Sequence, residues 1–86
     1  MTTAKTIKNV YAVAKSAKEA SEAAIHDDSI SEAEFDAILD AECEANDNLI
    51  DALVDFGNGV LKREDAETVV LRRFERVGEL IARLAA

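Results

Sequence analysis

Proline and tryptophan are absent from the 86 residues, and glycine occurs only at Gly57, Gly59 and Gly78. Without proline no helix interior is forced to kink, and with so few glycines little of the chain suits irregular backbone. Aromatic bulk is also scarce, limited to Tyr11 and three phenylalanines. Cysteine occurs once, at Cys43, which excludes an intrachain disulfide and gives no sign of an oxidising compartment. No run approaches the roughly 18 apolar residues of a membrane span. Lys5, Lys8, Lys15 and Lys18 interrupt what would have to be the apolar stretch of a signal peptide. A soluble, cytoplasmic protein is the expectation.

Cations are missing from the middle. Between Glu19 and Leu61 there are thirteen Asp or Glu and no Lys or Arg, within a chain of net charge −8. Such a field repels nucleic acid and anionic membranes, and basic protein surfaces are its natural partners.

What is present is helical in character. Ala, Glu, Leu, Lys and Arg dominate, and hydrophobic residues make up 49% of the chain, many of them alanines that suit close helix–helix approach. The stretch Ser31 to Phe56 reads as the central helix. Phe35, Ile38, Leu39, Ala45, Leu49, Leu53 and Phe56 share one face at about 100° per residue. Asp36, Asp40, Glu44, Asp47, Asp51 and Asp55 share the opposite one. Ser31 and Glu34 form a capping box, with Ile30 and Phe35 as its hydrophobic staple. Gly57-Asn58-Gly59 supplies left-handed backbone to end it.

Ahead of it, residues 3–26 predict a helix with Ile7, Val10, Ala14, Ala17, Ser21, Ala24 and Ile25 on the core face and Tyr11 on its flank. Beyond it, residues 65–85 predict a third helix, N-capped by Asp65, with Val70, Phe74, Val77, Ile81 and Leu84 inward. Lys18–Glu22 and Glu79–Arg83 are candidate ion pairs four residues apart. The expected fold is an all-α, antiparallel up-down-up three-helix bundle forming a single domain over residues 1–86. Val69, Leu71 and Leu80 widen the apolar arc of the third helix to about 200°, more than one neighbour needs, and mark a candidate homodimer or oligomer face. Glu42 and Asn46 are polar residues projecting onto the apolar face of the central helix. Glu42 is expected to pair with Lys15 or Arg73.

Catalytic and metal chemistries find little support in residue types and spacing. The one cysteine and the one histidine, Cys43 and His26, fall about 18 Å apart along a hairpin at 1.5 Å per residue. Asp40 to Asp51 has acidic or amide residues at the ligand positions of a calcium-binding loop, but Ala45 stands where the sharp turn needs glycine. Asp28-Ser29-Ile30 is similar to the Asp-Ser-Leu of acyl carrier proteins, which implies a phosphopantetheine on Ser29. That family places a long loop before its serine, whereas this chain has a tight connection, so Ser29 and Ser31 read as helix caps. No enzymatic activity, metal or cofactor is expected.

The acidic face remains. Asp36, Asp40, Glu44, Asp47, Asp51 and Asp55 advance by three or four residues, one charge per roughly 5 Å, against one per about 1.7 Å in duplex DNA. The reading is a non-enzymatic protein-binding module, an inhibitor or modulator that engages a basic surface of a nucleic-acid-handling protein. Small accessory proteins of phages and mobile elements, anti-CRISPR proteins among them, share this size and charge. A homo-oligomerising assembly protein is the alternative.

Overall fold

A computed structural model describes residues 2–86, and every regular element among them is helical. Helix α1 spans Ala4–Ile25 and α2 spans Glu32–Gly57. Helix α3 covers Arg63–Arg72, a single 3-10 turn follows at Phe74–Arg76, and α4 covers Val77–Ala85.

The expected helix boundaries hold for the first two elements. Thr3 caps α1 by accepting from the Thr6 N–H (3.1 Å), and Ser31 caps α2 by accepting from the Glu34 N–H (3.1 Å). At the far end of α2, Asn58 and Gly59 adopt φ of 48° and 87° and turn the chain away. Gly57 is buried there, and a Cβ on it would come within 2.9 Å of the Leu61 Cβ. The chain therefore folds back tightly enough that only glycine fits without a shift.

The expected uninterrupted helix over residues 65–85 is broken in two. Arg73 leaves helical geometry (φ −138°, ψ 51°), and α3 begins earlier than predicted, after Lys62 rather than at an Asp65 cap. Neither proline nor glycine marks the break. Tertiary contacts override local propensity here: α3 packs on α2, while α4 turns back onto α1 and the end of α2. At the corner Phe74 is buried, its ring 5.7 Å from that of Tyr11 and under the Lys18 ammonium at 4.8 Å. Gly78 of α4 lies beside the Tyr11 hydroxyl, with ordinary contact distance left for a Cβ.

Helices α1 and α2 form an antiparallel hairpin with a seven-residue repeat along its seam, the spacing that keeps two helices in contact. Ser21 meets Glu42 across it. The same spacing, followed away from that contact, reaches Ala14 and Ile7 on α1 and Leu49 and Phe56 on α2, all buried or half-buried. The core is built at one end of this hairpin. Ile7, Leu49, Leu53 and Val77 are its fully enclosed large side chains, joined by Ile50, Ala66, Val70 and Ile81. Ile50 lies outside the predicted face of α2 but is buried, because α2 packs against α3 as well as α1 and needs a wider apolar arc than that face supplies.

All six buried residues of α2 come from Ala45 onward. Its first half, from Glu32 to Glu44, has none, and Phe35, Ile38 and Leu39 are only half-buried and outside the core cluster. The hairpin thus projects beyond the part that α3 and α4 cover. The molecule measures 44 × 22 × 17 Å, with a radius of gyration of 13.8 Å, against about 12 Å for a rounder chain of this length.

Candidate protein-binding site

The repeat that builds the seam also sets the acidic row. With the apolar side of α2 turned to α1 and α3, Asp36, Asp40, Glu44, Asp47, Asp51 and Asp55 are all exposed. The chain itself engages two of them. Asp51 Oδ1 accepts from an Arg63 guanidinium nitrogen at 2.7 Å, and Arg63 also reaches Glu67 at 3.5 Å. That hydrogen bond and the Asp51 charge raise the guanidinium's proton affinity further. Asp55 Oδ2 accepts from the Thr2 N–H at 2.6 Å, which holds its carboxyl below the usual carboxylate range. Asp36, Asp40, Glu44 and Asp47 have no ion pair or hydrogen bond to their side chains among the described residues. They form the free part of the row, about 17 Å long at 1.5 Å per residue.

Other pairings differ from expectation. Lys18 is drawn over Phe74 rather than paired with Glu22, and Glu79 pairs with Arg76 at 3.6 Å rather than with Arg83. Glu42 takes neither Lys15 nor Arg73. Its partner is the Ser21 hydroxyl, which also lies 3.0 Å from the Lys18 carbonyl. One hydroxyl carries one proton and serves one acceptor at a time. Ser29 is not a helix cap; its N–H and hydroxyl both donate to Asp27 Oδ1, a local turn that lowers the Asp27 pKa. Asp40 to Asp51 lies wholly within α2, so its carboxylates follow a helix rather than converge as a loop. Cys43 is exposed on α2, and exposed His26 caps the C-terminus of α1.

Of the apolar arc expected on the third helix, Leu80 turns inward at 8% exposure and Val69 is half-buried against the core. Leu71 stands open at 62%. The break at Arg73 separates Leu80 from the other two, so the three are divided between α3 and α4.

A cavity of about 360 Å³ lies where the end of α3 meets the hairpin, and Glu42, Cys43 and Asn46 of α2 line it. Lys18, Ser21 and Glu22 of α1 form its other side, with Val70, Leu71 and Phe74 closing one end. Asn46 Oδ1 is buried and has no hydrogen-bond partner among the described residues. The sequence signalled this place through two polar residues on an apolar face, but not the cavity, which exists only because α3 stops short.

Comparisons of the chain with protein-family models, with curated proteins and with solved structures find no match.

Proposed function

We propose that this chain is a non-enzymatic binding module that uses the acidic face of α2 to engage a basic protein surface, in the manner of a small inhibitor or modulator of a nucleic-acid-handling protein. The observation that carries the reading is the row Asp36, Asp40, Glu44 and Asp47: exposed, set on one helix and unpaired by the described chain. Carboxylates so placed accept charge-assisted hydrogen bonds from Lys and Arg. A helix fixes their spacing in advance, which lowers the ordering cost of binding. Asp51 and Asp55 stand at the end where Arg63 and Thr2 already occupy them, so the contact is weighted toward the beginning of α2.

The test is affinity capture from bacterial lysate at low and high salt, comparing wild type with an Asp40→Asn, Glu44→Gln, Asp47→Asn variant of matching circular dichroism. The expected result is a basic, nucleic-acid-binding protein held by wild type, released by salt and lost by the variant. Added duplex or single-stranded nucleic acid should displace the chain from it. Equal capture by both proteins at both salts would show that the row serves solvation alone.

A further inference from the structure

The hairpin carries two parallel rows of side chains at seven-residue spacing on the side that α3 and α4 partly cover. On α1 the row is Tyr11, Lys18, Ile25; on α2 it is Leu53, Asn46, Leu39. At one end Tyr11 packs on Phe74 and Leu53 is fully buried. In the middle, Lys18 and Asn46 line the cavity beside the end of α3. At the far end nothing in the described chain lies over the rows: Ile25 is 62% exposed, and Phe35 and Leu39 are half-buried outside the core. Past the last turn of α3 the hairpin therefore continues with its apolar side chains exposed or only half-covered. From Glu32 to Glu44 it runs about 20 Å, or three to four helical turns.

We infer that this open groove is the docking site for a cationic amphipathic helix of a partner protein, seated end-on to α3 with its apolar side on Leu39, Phe35 and Ile25. The inference rests on the reading of the chain as a binder of basic proteins and names the kind of segment it takes. Charge selects the occupant. The segment from Glu19 to Asp36 beside the groove carries seven Asp or Glu and no Lys or Arg. Glu22 stands exposed on one side, and Glu32 and Asp36 on the other. A second copy of this chain would set these rims against one another, and like charges brought together oppose association. An amphipathic helix with Lys and Arg flanking its apolar stripe meets both the rims and the floor.

The polar atoms of the cavity point the same way. Asn46 Oδ1 is a buried acceptor without a donor, and Glu42 shares the single proton of Ser21 with the Lys18 carbonyl. Asn46 Oδ1 has no donor among the described residues and Glu42 has only the Ser21 hydroxyl, so one long Lys or Arg side chain from a helix in the groove would donate to both. Lys18, the cation that lines the same cavity, lies over the Phe74 ring.

The probe is a fluorescein-labelled helix of about 14 residues, about 21 Å long, stapled by a lactam between one Lys and one Asp four residues apart, with Leu at i, i+3, i+4 and i+7 and Lys or Arg at the other positions. Fluorescence anisotropy should show it binding wild type. A peptide of the same composition with scrambled Leu positions should bind at least tenfold more weakly, as should one with Glu in place of Lys and Arg. Leu39→Ser with Leu71→Ser should abolish binding, and Glu42→Gln should weaken it by about tenfold, the range of a hydrogen bond to a charged group. A bulky maleimide on Cys43, the chain's single thiol, should block it without altering the fold. The Asp40→Asn, Glu44→Gln, Asp47→Asn variant, altered outside the groove, should retain it within about threefold.

Equal binding of the scrambled peptide, or unchanged binding by the Leu39→Ser, Leu71→Ser protein, would overturn the groove while leaving the acidic row to be judged by capture. A dimer in sedimentation that Leu39→Ser, Leu71→Ser dissociates would also overturn it, because the occupant would then be a second copy. If the row variant loses captured partners yet still binds the peptide, the groove stands and the acidic-face reading is confined to the row.

Discussion

Asn46 sets an amide oxygen against the cavity with no donor among the described residues, and a buried amide left without a partner is penalised by about 1–3 kcal/mol. Replacing it by an apolar side chain of similar size should recover part of that. Asn46→Leu is expected to stabilise the fold by about 1 kcal/mol, raising the melting temperature by about 4–8 °C for a chain of this size. Circular dichroism melts would check it, and a lowered melting point would mean the amide is held by an ordered solvent molecule. The same substitution should weaken docking of the cationic helix, so stability and binding are set to move in opposite directions. The oddity of Asn46 and Glu42 could be read in the sequence because they interrupt an apolar face. Their actual partners could not, since Ser21 looks like any small residue at a close helix contact.

At the scale of helices, readable and unreadable features divide at Gly57. Ahead of it, capping residues and a strict apolar repeat specify α1 and α2 locally, and the structure has both. Behind it, the apolar residues from Ala66 to Leu84 keep one helical phase throughout, so periodicity alone predicts one rod. The corner at Arg73 arises from where Phe74 must go: beneath Lys18 and against Tyr11, on a different helix from the one α3 covers. That information is distributed over residues 56 and 63 positions apart, Lys18 and Tyr11 from Phe74, and leaves no local signature. The corner should accordingly be fragile. Phe74→Ala is expected to cost about 3–5 kcal/mol, a large share of the roughly 5–15 kcal/mol that holds a small domain. Urea unfolding would measure it. A loss below about 1 kcal/mol would show that α4 docks without its aromatic anchor.

For the whole molecule, the all-helical class, the hairpin and the exposure of the acidic row followed from composition and period. The elongated shape did not, because nothing in the residues of α2 announces that α3 will end before reaching the tip. The consequence is an uneven distribution of stability along a single helix. Amides from Phe35 to Glu44, with no buried side chain nearby on their own helix, should exchange with deuterium faster than those from Ala45 to Gly57. Exchange followed by mass spectrometry or NMR would show the step near Ala45. Uniform protection along α2 would instead mean that the hairpin tip is as firmly held as its base. Binding of a helix in the open groove should slow exchange in the first segment and leave the second unchanged.

The couplet of Ser21 and Glu42 has one more effect, on alignment. A seam repeating every seven residues looks nearly the same after one helix slides a full repeat past the other, with alanine again facing leucine or isoleucine. Shape alone would leave the hairpin with competing, offset versions of itself. Ser21 is the only hydroxyl among the seam positions of α1, and Glu42 the only carboxylate among those of α2. A slide by one repeat sets the carboxylate against the Ala14 methyl in one direction and against Asp28, past the end of α1, in the other. The polar contact works as an index mark, making one offset of the two helices distinguishable from all the others.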